Sequence, residues 1–137
     1  MIQLACAALV PPPVPAAPPE TVLVVEDEAV VRELAAAAFE DEGYRVLTAA
    51  DAHEAGRILQ RERVDMLFTD IDLARNTDGV TLARAARRHR PDLPVVYTSG
   101  GRHRLAEGEA VADSVFVPKP YRPSEIAALA NRLLGHS

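Results

Sequence analysis

The sequence predicts a doubly wound α/β fold, a parallel sheet covered by helices on both faces. Two observations carry this. Five short aliphatic or β-branched runs alternate with segments whose apolar residues recur at helical spacing, the pattern of strands buried on two faces. Three of the runs also end in chemically loaded residues, Glu26-Asp27, Asp70 and Lys119, and open α/β sheets bind ligands outside the carboxyl ends of their strands.

The first strand is Thr21–Val25, a continuous apolar run. Asp27 or Glu28 caps a helix in which Val30, Val31, Leu34, Ala38 and Phe39 are spaced to face inward, and Gly43 stops it. Tyr44–Thr48 is the second strand. Asp51 caps a helix carrying Ala55, Ile58 and Leu59 that ends near Arg63, and Val64–Thr69 is the third strand. Asn76-Thr77-Asp78-Gly79 makes a turn, after which Val80, Leu82, Ala83 and Ala86 mark a helix that ends before Pro91. Pro94 opens the fourth strand, Val95–Thr98, closed by Gly100-Gly101. Arg102–Asp113 is weakly helical and interrupted by Gly108, and Ser114–Val117 is the fifth strand. A last helix from Pro123 or Ser124 turns Ile126, Leu129, Leu133 and Leu134 inward.

A length of 137 residues suits one domain with a core of its own. The formal charge of −5 and the lack of a Lys/Arg block argue against a nucleic-acid surface, so no direct DNA binding is expected. Cys6 alone provides neither a disulfide framework nor a metal-ligand set. Ile2–Val10 is far shorter than the ~20 residues of a membrane span and lacks the positive region of a secretory signal. Six of the nine residues from Pro11 to Pro19 are proline, which favours an extended, solvated segment. Residues 1–19 are therefore expected to be a disordered leader. Residues 20–137 are expected to form one domain with no output domain, in the cytoplasm and without a membrane span.

Glu26 and Asp27 end the first strand, Asp70 the third, Ser99 follows the fourth and Lys119 the fifth. Three carboxylates brought together repel and raise one another's pKa values; a divalent cation and a lysine ammonium remove that penalty. Oxygen ligands without clustered histidine or cysteine suit Mg²⁺, or Mn²⁺. An ionised aspartate in such a setting is a nucleophile towards phosphorus, with metal and lysine stabilising the transferring oxygens.

Five motifs in order, Val22 to Glu28, Thr69-Asp70-Ile71-Asp72, Asp78-Gly79, Pro94 to Gly100 and Val117 to Tyr121, resemble the receiver domain of two-component response regulators, the CheY-like superfamily, in its stand-alone form. The resemblance covers Thr21 to about Leu134. It implies a flavodoxin-like sheet of order 2-1-3-4-5, and Asp70 as the acceptor of a phosphoryl group from a histidine kinase or histidine phosphotransfer protein. It also implies Asp27 as a direct Mg²⁺ ligand, Glu26 acting through water and Asp72 through its backbone carbonyl. Lys119, in a Lys-Pro pair whose peptide bond is usually cis in the family, would contact the phosphate. Ser99 takes the place of the switch hydroxyl and Phe116 that of the switch aromatic. The chain departs from the family pattern in three places. Ala74 stands where a proline is usual, the Asp70–Asp78 loop is one residue longer, and the Ser99–Lys119 stretch is about two residues shorter, which implies a short fourth helix.

The function implied is a phosphorylation-controlled binding module that reports to a downstream protein partner and is compatible with homodimerisation. Two other readings use the same residues. One is a receiver fold serving as an interaction module without phosphorylation. The other takes Asp70-Ile71-Asp72 as the D-x-D of a haloacid-dehalogenase-like phosphatase, although those enzymes place D-x-D on the first core strand and their acidic pair near the end. His53, His89, His103 and His136 show no metal spacing, and His103, after Ser99, is the one placed to influence phosphate lifetime. The Arg84–Arg90 cluster reads as a solvated helix face or a basic partner surface.

Overall fold

The computed structural model describes residues 18–74, 77–101 and 108–136. Its elements are β1 (Thr21–Val25), α1 (Ala29–Asp41), β2 (Arg45–Ala49), α2 (Ala52–Arg61), β3 (Met66–Asp70), β4 (Asp72–Leu73), β5 (Thr77–Asp78), α3 (Gly79–His89), β6 (Val95–Ser99), β7 (Val115–Pro118) and α4 (Pro123–Leu133). Five strands form one parallel sheet in the order β2-β1-β3-β6-β7, the 2-1-3-4-5 order expected.

Strand alternation divides the core in two. Leu23 and Val25 of β1, Leu67 of β3, and Val95 and Tyr97 of β6 face α2 and α3, meeting Ala55, Leu82, Ala83 and Ala86. Val22, Val24, Met66, Phe68 and Val96 face α1 and α4, meeting Ala35, Ala38, Phe39, Ile126, Leu129 and Ala130. Period-two side chains thus supply both layers from the same strands. On the second face Phe68 stacks edge-on against Phe39 and Tyr121, with centroids 5.3 and 5.6 Å apart.

The caps follow local chemistry. Asp51 accepts the Glu54 N–H at 2.8 Å while the Glu54 carboxylate accepts that of Ala50, and Asp78 accepts the Thr81 N–H at 2.7 Å. Gly43 leaves α1 at φ +93°, a left-handed conformation that favours glycine. Glu28 occupies the N-cap of α1 without a side-chain capping bond.

Three expectations change. Val30 and Leu34 do not face the sheet but are 69% and 56% exposed. Ala35 lies against it instead, together with Ala38 and Phe39, which were expected there. The turn before α3 is part of an antiparallel pair, with Asp72 opposite Asp78 and Leu73 opposite Thr77. The described residues hold four helices. Of the helix expected over 102–113, residues 102–107 lie outside the described residues, and 108–113 form turns with Gly108 and Asp113 at positive φ. Arg84 and Arg87 of α3 donate to the carbonyls of Gly108, Glu109 and Ala112 there. The Tyr97 hydroxyl accepts the Val111 N–H. The leader expected over 1–19 and His103 also lie largely or wholly outside the described residues.

Candidate functional site

Parallel register brings the strand ends to one edge. Val25 stands beside Thr69, Asp70 beside Thr98 and Ser99 beside Pro118. The ladder continues past the strands, because Glu26 N–H donates to the Ala49 carbonyl, Ile71 N–H to Thr98 and Lys119 N–H to Ser99. The residue after each strand is therefore fixed by backbone bonds before its side chain makes any contact.

Lys119 is the centre of the cluster. Its Nζ donates to Asp70 Oδ2 at 2.8 Å and also to Glu26 Oε1. Asp70 is 6% exposed and Glu26 3%, so both ion pairs are shielded from solvent. Asp70 Oδ1 accepts the Asp72 N–H at 3.1 Å. The Lys119–Pro120 peptide is cis. Burial opposes the ammonium, but the hydrogen bonds it donates to Asp70 and Glu26 outweigh it and hold Lys119 above the usual lysine range. Burial pushes Glu26 up to about 7, with the Lys119 hydrogen bond opposing and the Asp70 charge adding.

Carboxylate oxygens of Glu26, Asp27 and Asp70 lie within 4.8 Å of one another. The Lys119 ammonium pairs with Glu26 and Asp70, and burial holds Glu26 above its ordinary value despite that pairing. Hard oxygen donors at this spacing fit a divalent cation such as Mg²⁺, and exposed Asp27 leaves the group open to solvent on one side.

The remaining expected residues take different positions. Ser99 is buried at the end of β6, with Oγ 3.5 Å from Asp72 Oδ2 and 3.3 Å from the Gly101 nitrogen. Asp72 is exposed and its carboxylate turns to Ser99 rather than into the acidic group. Phe116 is 43% exposed on β7. Two supporting residues were not anticipated. Arg32 donates to the Glu26 carbonyl at 2.8 Å. Gly79 lies so close to β3 that a Cβ there would run into the Asp70 carbonyl. The Asp78-Gly79 pair was the available signal for the second, though it read as a turn.

A five-stranded parallel sheet whose carboxyl edge gathers three carboxylates, a lysine and a hydroxyl defines a receiver-class signalling domain. Residues 22–131 match the family model of the response regulator receiver domain, and the chain belongs to that family. It is 30% identical over 113 residues to the phosphate regulon transcriptional regulatory protein PhoB of Pseudomonas aeruginosa, covering 80% of this chain and 49% of PhoB. The chain thus spans about half or less of the length of the curated relatives it matches. A response regulator receiver protein from Sinorhizobium medicae superposes with a TM-score of 0.79 at 29% identity, over 85% of this chain and 95% of that one. The Thermotoga maritima response regulator TrrA, solved with Mg²⁺ and BeF, gives 0.75 at 25% identity, over 83% and 98%. No helix among the described residues is long and apolar enough to cross a membrane.

Proposed function

We propose that this chain is a phosphorylation-controlled binding module of two-component signalling, acting in the cytoplasm. The observation that carries the reading is the Lys119 bridge between Asp70 and Glu26, beside carboxylate oxygens grouped within 4.8 Å. A carboxylate oxygen of Asp70 attacks the phosphorus of a phosphohistidine on a kinase or phosphotransfer protein. A P–O bond forms, the P–N bond breaks, and the imidazole nitrogen leaves with the electron pair and takes a proton. Lys119 balances charge on the transferring oxygens. Glu26, Asp27 and Asp70, with the Asp72 carbonyl, would hold Mg²⁺, which supplies charge neutralisation at the phosphoryl oxygens when bound.

Phosphorylation adds close to two negative charges and new acceptor oxygens at Asp70. Ser99 donates its hydroxyl to one of them and Phe116 turns inward, shifting a two-state equilibrium that a downstream protein reads. Exposed Val30 and Leu34, on the helix that follows Asp27, give the phosphodonor protein an apolar foothold at the rim of the site.

Incubation with acetyl phosphate and Mg²⁺ tests the reading. The wild type is expected to gain about one hydroxylamine-sensitive phosphate, and neither Asp70→Asn nor a chelator-treated sample should do so. A folded wild type that gains none would favour the unphosphorylated interaction module. Sustained turnover of phosphomonoesters would favour the phosphatase.

A further inference from the structure

At the opposite edge of the sheet from Asp70, α2 and α3 part towards their C-terminal ends. A groove of about 510 Å³ opens between them. Its floor is apolar, formed by Leu59 and Val64 on one side and Leu82, Ala86 and Leu93 on the other. Val64 precedes β3 and Leu93 precedes β6, so the groove is remote from the acidic cluster.

Gly56 shows that this space is not forced by the fold. It sits inside α2 and lines the groove, without a positive φ, and a Cβ built on it meets nothing within 4 Å. Glycine inside a helix costs about 1 kcal/mol relative to alanine. Neither backbone conformation nor packing requires that cost here. What glycine provides is width, and Ala85 and Ala86 across the groove provide it as well.

The surroundings are basic in a chain whose formal charge is −5. Residues 52–63 and 79–92 carry Arg57, Arg61, Arg63, Arg84, Arg87, Arg88 and Arg90 against Glu54, Glu62 and Asp92. Some of this charge is used internally, since Arg84 and Arg87 hold backbone carbonyls and Arg90 binds the Val64 carbonyl and Asp65. The groove itself is lined by Arg63, Arg90 and exposed His89 against Glu62. The Arg63 side chain is 82% exposed while reaching Asp65 through one nitrogen, and Arg57, Arg61 and Arg88 are exposed elsewhere on the same two helices.

We infer that this groove is a docking site for an acidic amphipathic helix of a protein partner, whose large apolar side chains enter between α2 and α3 while flanking carboxylates meet the arginines. Helix-in-groove recognition uses this combination of an apolar trough and a charged rim. The volume lies within the range of pockets that bind defined ligands. The site is separate from the phosphoryl chemistry at Asp70, and does not depend on it.

The test is an amide NMR titration of the full, unphosphorylated chain with a synthetic helical peptide of about 14 residues carrying a leucine stripe and glutamates elsewhere. The control peptide replaces each glutamate with lysine. The acidic peptide should shift Gly56, Val64, Ala86 and Leu93, with at least about tenfold weaker binding by the lysine peptide. Gly56→Leu, which fills the groove while leaving the amide spectrum of the sheet intact, should weaken binding by a similar factor. Gly56→Ala serves if the leucine variant does not fold, and should both raise stability and weaken binding. No shifts at about 1 mM peptide, shifts centred elsewhere, or equal binding of both peptides would overturn the proposal. So would concentration-dependent shifts of the same residues without peptide, which would assign the groove to a second copy of the chain.

Discussion

The hydroxyl of Ser99 lies 3.5 Å from the carboxylate of Asp72, whose own N–H donates to Asp70 Oδ1 at 3.1 Å. An O–H···O contact of that length is at the outer limit of hydrogen bonding, so the hydroxyl is weakly held and free to turn to a phosphoryl oxygen. The same carboxylate repels the added charge of a phosphorylated Asp70. Asp72→Asn keeps an acceptor for Ser99 and removes the charge. It is expected to lengthen the life of the aspartyl phosphate about fivefold, or about 1 kcal/mol for an exposed charge. Decay of bound phosphate after removal of the phosphodonor measures this, with Asp70→Asn as the blank. An unchanged lifetime would mean that the Asp72 charge is not felt at the phosphoryl group.

Glu26 makes stability depend on pH. Burial raises its folded pKa from 4.5 to about 7, so between those values the folded state binds the extra proton. Its contribution is full below pH 4.5 and is lost as pH rises through 7. In chelator, the urea midpoint of the wild type should fall across this window, by an amount on the order of 1–3 kcal/mol. Glu26→Gln should flatten that dependence. At pH 8, Mg²⁺ should restore stability to the wild type by binding the folded state, and do so less in Asp27→Asn. A wild-type profile matching that of Glu26→Gln would count against this account.

Asp65 behaves in the opposite sense. Its carboxylate accepts the Thr21 N–H at 2.8 Å, where β1 enters the sheet, and faces Arg63 and Arg90 at 3.3 and 3.4 Å. Burial alone would raise its pKa, but the Thr21 N–H and the two guanidinium groups hold it below the ordinary 3.8. The stabilisation is present above that value and is lost as pH falls through the lower folded one. Asp65→Asn should cost about 1–2 kcal/mol at neutral pH, and the deficit should shrink in acid below the unfolded value. Urea unfolding of both proteins in neutral and strongly acidic buffer compares them, and a deficit independent of pH would remove the ionised carboxylate from the explanation.

The parts of the fold legible in sequence were those whose physics is local or strictly periodic. The Val22–Val25, Met66–Phe68 and Val95–Tyr97 runs are buried on both faces, and an uninterrupted apolar run has few other uses. Asp70 and Lys119 could be singled out because a charge ending such a run has to be solvated or paired. The β4–β5 pair could not be read, since two-residue strands have no period. On α1 Val30 and Leu34 were read into the buried stripe with Ala38 and Phe39, yet they are exposed and Ala35 completes the stripe instead, a choice of face that apolar spacing in an Ala-rich helix does not decide. The Arg84 and Arg87 contacts to the 108–112 carbonyls join segments about 25 residues apart, and a guanidinium on a carbonyl leaves no mark in either segment.

Gly79 carries a constraint that its neighbours in sequence hide. Its N–H donates to the Ile71 carbonyl at 2.8 Å, drawing the first turn of α3 onto the end of β3. A Cβ at this position would meet the Asp70 carbonyl and sit 2.9 Å from Thr69 Oγ1, which itself donates to that carbonyl at 2.9 Å. Glycine is needed here for close backbone approach rather than for a left-handed conformation. In an open helix Gly→Ala would be stabilising by up to about 1 kcal/mol. Here Gly79→Ala must push Asp70 and α3 apart, and is expected to cost about 1–3 kcal/mol instead. The displaced Asp70 carboxylate should also lose its 2.8 Å contact with Lys119, slowing phosphate incorporation from acetyl phosphate. The control is Gly56→Ala, where a Cβ meets open space, and which should raise the urea midpoint and leave incorporation unchanged. If both alanine variants are stabilised and both incorporate phosphate normally, the end of β3 yields without cost and Gly79 does not position Asp70.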